Sequence, residues 1–443
     1  MLRRLFRLEE HQTTVGRELQ AGLTTFAAMA YILAVNPTML ANTGMDKGAL
    51  VTVTAMTAAI ATGLMAFLTN YPLALAPGMG INAFFTFTIC LGKGIPWQEA
   101  LGMVFVNGIV FLTLSVTGVR EKIIAAIPGP LKVAVTCGIG VFIAFIGLRN
   151  GGVIVADNAT FVRGDFTSGS AALCLAGIAL TAILIAIRIP GAIVLGMIAS
   201  TVAGLFIAGA GGKLTQLPAS LIALPHSPAP LMFKLTFHFL TSMTAFEAAL
   251  PLILTLLLVD LFDNIGTLIA VTKRAGLLDA QGRLPKAGRA LLADSLATIL
   301  SALSGTSTVV TYIESASGVE AGGRTGLTAL TTAGLMLLAL FLTPLILAVP
   351  AAATAPALVI VGIFMMQSVV EIPMNDFVAS APAILTIFAI PLTFSIAQGL
   401  GLGLMLAAVL ALGLGRPKDL PVFGYIVAAV FFADFFKLWP FRG

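Results

Sequence analysis

Charged residues are scarce in this sequence. Only 10% of its 443 residues are Asp, Glu, Lys or Arg, and 58% are hydrophobic, whereas about 25% of the residues of an ordinary soluble domain are charged. This shortage excludes a soluble globular protein. Because an α-helix satisfies its backbone hydrogen bonds internally even in lipid, the composition predicts an all-α polytopic membrane protein embedded in a lipid bilayer.

Cysteine and histidine are equally rare, with three residues of each. The cysteines lie in apolar stretches without metal-site spacing, so we interpret them as small packing residues. They are Cys90, Cys137 and Cys174. The histidines are dispersed, with His11 and His238 near predicted membrane interfaces and His226 in a loop. The sequence therefore predicts no metal and no other cofactor.

The net charge of +5 does not indicate a nucleic-acid partner, because the basic residues are spread over short loops. Their distribution instead predicts the topology. With the N-terminus inside, eighteen of the 24 Lys and Arg residues fall on the cytoplasmic side, as the positive-inside rule requires. We therefore predict a multi-pass protein of the cytoplasmic (inner) cell membrane, with both termini in the cytoplasm.

About 20 apolar residues cross a bilayer as a helix, and we predict fourteen spans. They are 20–40, 49–69, 73–91, 98–118, 131–148, 171–188, 190–210, 249–271, 287–304, 308–320 (a half-span), 325–348, 353–370, 380–395 and 398–414. The proline-containing stretch 211–245 is predicted to be an external loop or an interfacial helix. The apolar piece 421–437, interrupted by Asp434, is predicted to lie at the interface, with a fifteenth span as the alternative.

Three acidic residues lie at bilayer depth. Asp260 and Asp263 are near the middle of span eight, and Glu314 follows the run Gly305–Thr311 in span ten. A charge at this depth costs about 2.5–3.5 kcal/mol even on lenient scales, so such residues usually serve a function. The weak helix formers of Gly305–Thr311 favour extended backbone, which is tolerated at depth only where protein buries it or it lines a cavity. A broken span opposite an acidic helix predicts the substrate site of a secondary transporter.

The two halves of the sequence repeat this pattern. Span three contains the helix-breaking stretch 76–82, APGMGIN, and span ten contains Gly305–Thr311. Seven spans follow seven, and each set has a broken third member. An odd number of spans turns the second copy over, so the pattern predicts an inverted repeat.

Four stretches resemble the nucleobase–cation symporter 2 (nucleobase–ascorbate transporter) family. They are TTFAAMAYILAVNP at 24–37, PLALAPGMGINAFFTF at 72–87, LFDNIGTL at 261–268 and GTSTVVTYIESASGVEAGGRTGLTAL at 305–330. Within the family they resemble the azaguanine-like branch, whose members carry hypoxanthine, guanine or adenine. The resemblance implies a purine permease rather than an enzyme.

The same resemblance implies the uracil-permease fold, with fourteen spans in a 7+7 inverted repeat and short strands in broken spans three and ten. Residues 1–118 and 246–350 would form a core domain of spans 1–4 and 8–11. Residues 119–245 and 351–443 would form a gate domain of spans 5–7 and 12–14, together with the C-terminal interfacial segment. Relatives with this fold are often dimers through the gate domain, so we expect a homodimer.

The resemblance also implies site residues. Asp263 in DNIG is similar to the family's eighth-span carboxylate, and Glu314 in YIES to its tenth-span acidic or amide position. Asn82 resembles the third-span polar position of the azaguanine-like branch, and Phe26 a first-span position near the ligand. Thr267 stands where the uracil permease has a histidine, so a proton relay through histidine is not implied.

The chemistry of these residues suits a purine base. A carboxylate accepts hydrogen bonds from two N–H donors of the base, and such bonds are strong in a dry pocket. Tyr312 and Ile313 precede Glu314 and are expected to contact the base, Tyr312 as a stacking surface. Because burial disfavours the charged form of a carboxyl group, Asp263 or Glu314 is suited to carry a coupling proton. Without an oxygen cluster for sodium, we expect proton coupling.

Several alternatives stay open at this point. Asp260 is interpreted as a structural group or, with Asn264 and Thr267, as a support behind the site. Asn82 could cap a half-helix. The protein could be an anion transporter or exchanger on the same fold, although such proteins offer positive helix ends rather than two buried acids. An intramembrane aspartyl protease is disfavoured because the Gly-x-Gly-Asp context is missing.

Overall fold

The computed structural model describes residues 2–117, 128–209, 212–277 and 284–436. Nine side chains within these ranges lie outside the description: Phe262, Asp263, Ile265, Gly266, Ile269, Ala270, Lys273, Arg274 and Asp434. The helices are α1 (Leu2–Leu5), α2 (Val15–Met29), α3 (Ile32–Leu40), α4 (Lys47–Thr69), α5 (Met79–Ala83), α6 (Trp97–Thr117), α7 (Gly129–Asn150), α8 (Gly169–Ala186), α9 (Ala192–Ala203), α10 (Met243–Arg274), α11 (Ala287–Ser304), α12 (Ser315–Glu320), α13 (Gly326–Ala339), α14 (Thr343–Ala348), α15 (Ala351–Met366), α16 (Phe377–Thr393), α17 (Ile396–Gly413) and α18 (Val422–Phe435). The strands are β1 (Leu75–Pro77), β2 (Ile154–Asp157), β3 (Phe161–Gly164), β4 (Ala208–Gly209), β5 (Gly212–Lys213) and β6 (Val309–Thr311).

Nine helices in the described part of the chain are long and apolar enough to cross a membrane, and four apolar helices of 10–17 residues accompany them. The protein is therefore a multi-pass, mostly helical membrane protein. The other predicted spans correspond to shorter or more polar elements. For example, α11 has the predicted bounds 287–304 but contains Arg289 and Asp294, and span ten consists of β6 followed by the six-residue helix α12.

The helix of the first span, Val15–Thr43, has an interrupted hydrogen-bond pattern at Ala30 and Tyr31. Helix α2 ends at Met29, and α3 begins at Ile32. The Ala30 amide donates to the Phe26 carbonyl at 2.8 Å, so the last turn of α2 is closed. Tyr31 lies at the junction between α2 and α3, and both Ala30 and Tyr31 keep helical dihedral angles.

Helix packing falls into two groups. In the first, α4 lies against α13 and α11, α6 lies against α11, and α2 lies against α13 and α12. In the second, α7 lies against α15 and α16, and α17 lies against α16 and α18. Fewer contacts join the groups, among them those of α5 with α7 and of α2 with α9. The broken spans and the acidic helix α10 belong to the first group.

Helices α7 and α15 of the second group cross through glycine. A Cβ atom at Gly140 would lie 2.8 Å from the Gly362 carbonyl oxygen, and one at Gly147 would lie 3.0 Å from the Ala355 carbonyl oxygen. Only glycine allows backbones to approach this closely, which is the usual basis of helix association in lipid.

The stretch after α9 runs over the ends of the first group of helices. Its backbone amides donate to those helix ends, from Phe233 to Leu303 at 2.8 Å and from Thr236 to the Gln98 carbonyl at 2.9 Å. Between residues 214 and 242, the only helical element is the 3-10 turn His238–Leu240. The described part of the stretch 211–245, which the sequence predicts to be an external loop or an interfacial helix, is therefore a loop and not an interfacial helix.

Two hairpins absent from the sequence predictions follow α7 and α9. Strands β2 and β3 pair antiparallel, and Asp157 accepts bonds from the Ala159 and Thr160 amides at 2.9 and 3.0 Å across their turn. The amide of Thr160 foremost holds the pKa of this carboxyl below its usual value. The second hairpin pairs β4 with β5. Both hairpins lie outside the helices and are remote from the broken spans in the chain.

Candidate functional site

Spans three and ten meet as a pair of short strands. β1 and β6 pair antiparallel, with Ala76 opposite Val310, and the Gly78 amide extends the ladder by donating to the Thr308 carbonyl at 3.0 Å. The β-branched residues of β6 favour this conformation, and Pro77 at the end of β1 has no N–H for a helix. The pairing satisfies extended backbone that would otherwise be exposed inside the membrane.

A helix begins after each strand, at Met79 in span three and at Ser315 in span ten. Polar bonds fix this junction. The Tyr312 hydroxyl donates to the Pro77 carbonyl at 2.6 Å, and the Ala74 amide donates to Ser315 Oγ at 3.0 Å. Tyr312 is 5% exposed. Its hydroxyl thus joins the two strands, and its ring is nearly closed off from the surface.

Glu314 lies at the first opening of this junction. Ile313 is 46% exposed and Glu314 is half-buried, whereas every residue from 304 to 312 is buried. The Tyr31 hydroxyl donates to Glu314 Oε1 at 2.5 Å, and Tyr31 itself is 1% exposed. The predicted site residue Glu314 is therefore half-buried and accepts a short hydrogen bond from a phenol.

Tyr31 is a site residue that sequence reasoning missed. It lies in an apolar segment, where a tyrosine is easily taken for core, and its partner is 283 residues away. A signal was nevertheless present, because a tyrosine hydroxyl buried in a membrane span needs a hydrogen-bond partner.

Asn82 belongs to a closed network of polar side chains. Its Nδ2 donates to Asn36 Oδ1 at 2.7 Å, and its carbonyl oxygen accepts from the Ser307 hydroxyl. Asn36 Nδ2 in turn donates to Thr54 Oγ1 at 2.8 Å and to Thr306 Oγ1 at 3.3 Å. All five residues are 0% exposed. The network links spans one, two, three and ten behind the strand pair. The cap of α5 is Gly78, so capping by Asn82 was the wrong alternative.

Helix α10 contacts the strand pair through Asn264. The Thr311 amide donates to Asn264 Oδ1 at 3.4 Å, and Thr267, one turn further along, is half-buried. Asp260, which is fully buried, accepts from Asn107 Nδ2 of α6 at 3.2 Å. The predicted proton-coupling residue Asp263 lies on α10, but its side chain is outside the described residues.

The remaining predicted residue, Phe26, is half-buried and packs against the main core in the last turns of α2. The site thus brings Tyr312, Ile313 and Glu314 together at the end of β6, with Asn264 behind them. Within the described residues, no group of three or more His, Cys, Asp and Glu side chains could hold a metal ion. The arrangement offers a half-buried acid whose carboxylate accepts a hydrogen bond from a phenol.

Comparisons with known proteins identify relatives of this chain. Residues 16–402 match the model of a permease family. The guanine/hypoxanthine permease PbuG of Bacillus subtilis is 41% identical over 447 residues, which cover 99% of this chain and 100% of the relative. The adenine permease AdeP of Escherichia coli is 40% identical over 434 residues, with coverage of 97% and 95%.

Among solved structures, the transmembrane domain of the cyanobacterial bicarbonate transporter BicA has a TM-score of 0.60 at 16% sequence identity, and the match covers 87% of this chain and 96% of that one. At this level of identity the likeness concerns the fold alone.

Proposed function

Because this chain belongs to the nucleobase–ascorbate transporter family and is a transporter rather than an enzyme, we propose that it carries a purine nucleobase across the cell membrane. The observation that carries the proposal is Glu314, a half-buried carboxylate beside the exposed Ile313, where the strand of span ten ends. Two relatives with nearly complete coverage are named for guanine and hypoxanthine or for adenine.

The site recognises the base by hydrogen bonds from ring and exocyclic N–H groups to Glu314. An ionised carboxylate is an acceptor-only group, and it holds two such donors side by side. Phe26 and Ile313 provide apolar contact with the flat ring, and Tyr312 closes the site from the strand side. Asn82 acts on this site either by direct contact, as the resemblance implies, or through its network behind the strands.

The architecture we propose is the fourteen-segment inverted repeat of this fold. The nine long helices, the shorter ones of spans three, seven and thirteen, the polar helix α11 and the β6–α12 unit provide these segments. The first packing group is the core domain (1–118 and 246–350), and the second is the gate domain (119–245 and 351–443). Both termini lie in the cytoplasm, and two copies associate through the gate domain.

We propose that transport is coupled to protons. Glu314 and Asp263 are acids in predicted membrane spans, where burial in general disfavours the charged form of a carboxyl group. Asp263 lies one residue before Asn264, which binds β6, so α10 passes the strand pair at this level. A proton on one of these acids removes one negative charge from the site when the base is carried across.

Uptake by purified protein in liposomes tests the function. Labelled hypoxanthine, guanine and adenine are compared with uracil and bicarbonate under an imposed pH gradient. We expect at least one purine to accumulate, to be displaced by unlabelled purine and to be lost from the vesicles on adding a protonophore. Bicarbonate uptake without purine uptake would favour an anion transporter instead. Purine uptake that follows a sodium gradient alone would contradict proton coupling but not the substrate class.

A further inference from the structure

Tyr31 and Glu314 form a hydrogen bond between the first and the tenth span. The phenol donates to Glu314 Oε1 at 2.5 Å, at the short end of the range for a hydroxyl bound to a carboxylate. We propose that Tyr31 is a positioning residue for purine recognition, a proposal that rests on the proposed function. Tyr31 holds the Glu314 carboxylate in the orientation in which it accepts hydrogen bonds from the base.

The break in span one places Tyr31 at this point. Tyr31 lies between the closed last turn of α2 and the first residue of α3, and its own carbonyl accepts from the Ala34 and Val35 amides at 3.1 and 3.0 Å. Its side chain extends from the helix surface, and its hydroxyl donates to Glu314 Oε1.

The helices next to Tyr31 and Glu314, α2 and α12, also pack directly against each other. Helix α12 lies against α2 at Gly318, where a Cβ atom would collide with Thr25 Oγ1 and would lie 2.7 Å from the Ala21 carbonyl oxygen. Such contact fixes the distance between the two backbones about one turn below the Tyr31–Glu314 bond. A side chain larger than hydrogen at position 318 would push them apart.

A second anchor lies at the other end of α2. Glu18, which is 0% exposed, accepts from the Thr325 and Thr328 hydroxyls at 2.8 and 2.6 Å and from the Arg324 amide at 2.9 Å. These bonds cap the start of α13 with a carboxylate, where the helix dipole favours negative charge. Residues 18–31 of the first span are thus attached to residues 314–328 at three levels, which limits movement of Tyr31 relative to Glu314.

The chemical consequence concerns the free lone pairs of Glu314. A carboxylate has about four acceptor sites, and the phenol occupies one of them. The others remain available to N–H donors of the base, in a plane that the phenol fixes. A freely rotating Glu314 would lose side-chain entropy on binding, and holding it in advance removes that cost. Tyr31 thus acts through Glu314 and need not touch the base.

A double-mutant cycle tests this assignment. Binding of the purine that the parent carries best is measured by calorimetry for the parent, Tyr31→Phe, Glu314→Gln and the double variant, in the same lipid. Loss of one bond to a charged group corresponds to about 10- to 150-fold in affinity, and we expect Tyr31→Phe near the lower limit. In the Glu314→Gln background, Tyr31→Phe should lower purine affinity by less than about twofold, because the carboxylate that Tyr31 orients has already been replaced.

Uptake kinetics separate positioning from a folding defect. We expect Tyr31→Phe to raise KM about tenfold with the maximal rate per inserted protein nearly unchanged. The matched control is Tyr425→Phe, which removes a hydroxyl bonded to the Pro417 carbonyl at 3.1 Å in the second packing group and should leave KM unchanged.

Three results would overturn the assignment. They are a lower maximal rate with the parent's KM, an equal loss in both backgrounds of the cycle, and no loss at all. A parent that binds no purine would instead refute the proposed function, and the first measurement of the cycle distinguishes that case.

Discussion

Spans three and ten share a backbone design but differ in their exposure. Each consists of a strand followed by a helix, and the strands pair with each other. In span three, every residue from Tyr71 to Cys90 is buried. In span ten, burial is interrupted at Ile313, which is exposed, and at Glu314, which is half-buried, and it resumes at Ser315. The same architecture therefore gives one sealed half and one open half.

The difference in exposure between spans three and ten indicates that they have different roles in the site. Asn82, the polar residue of span three, has both ends of its amide bonded within a closed network. Glu314, the acid of span ten, is half-buried, and the bond from Tyr31 uses one of the several acceptor sites of its carboxylate. We infer that span three supports the site and that span ten recognises the base. The pairing of strands β1 and β6 fixes the position of one span relative to the other.

The largest effect is expected when the open half loses its acid. Glu314→Ala removes both acceptor oxygens, and we expect no detectable purine binding. Glu314→Gln keeps one acceptor oxygen, so binding should weaken by about 10- to 150-fold, as for one charged hydrogen bond, with some transport remaining. Calorimetry and uptake in one lipid system measure both. The control is Glu371→Gln, an exposed carboxyl of the second packing group. Parent-like binding by Glu314→Ala would place the site elsewhere.

The next effect concerns energy coupling and not recognition. Asp263→Asn replaces an acid of span eight with an amide that cannot take up a proton, and we expect accumulation driven by a pH gradient to be abolished. Equilibrium binding of the purine should remain measurable. Uptake with and without a protonophore makes the comparison, with the exposed Asp419→Asn as control. Normal accumulation by Asp263→Asn would remove this residue from the coupling mechanism.

A third change disturbs the support of the open half without touching its acid. Gly318→Val would force α12 away from α2, because a Cβ atom at 318 already collides with Thr25. We expect about 1–3 kcal/mol of destabilisation, as for other overpacked sites, and a weaker purine affinity. Gly334→Val in α13 is the matched control, since nothing lies within 4 Å of a Cβ atom there. Thermal unfolding and calorimetry report the two effects. Equal behaviour of both variants would contradict a role for the α2–α12 contact.

Much of the open half could be predicted from local sequence. The run Gly305–Thr311 disfavours a helix, and Val309–Thr311 is indeed a strand. Glu314 stands out because an acid at bilayer depth is costly. Such signals are local and need no knowledge of distant residues. For the same reason the bounds of α11, 287–304, agree with the apolar pattern.

The partners of these residues could not be predicted in the same way. The break at Ala30 and Tyr31 contains neither glycine nor proline, so the apolar pattern continues through it. The Tyr31–Glu314 and Asn36–Thr306 bonds join residues 283 and 270 positions apart, and hydrophobic periodicity carries no information about such pairs. Asn36 at span depth was a usable signal, because a buried amide in lipid requires partners, but its partners depend on the tertiary fold.

The smallest effect is expected in the sealed half, at Asn82. Asn82→Ala removes the Asn82 partner of Asn36 Oδ1 and of the Ser307 hydroxyl in a fully buried network, which should cost about 1–3 kcal/mol of stability. Because the amide lies behind the strands and is 0% exposed, affinity should weaken by a similar modest factor for every purine tested. Inhibition of uptake by a panel of purine analogues measures this, with the exposed Asn42→Ala as control. If Asn82→Ala instead changes the order in which the purine analogues inhibit uptake, the amide contacts the base as the family resemblance implies. The sealed half then takes part in recognition directly.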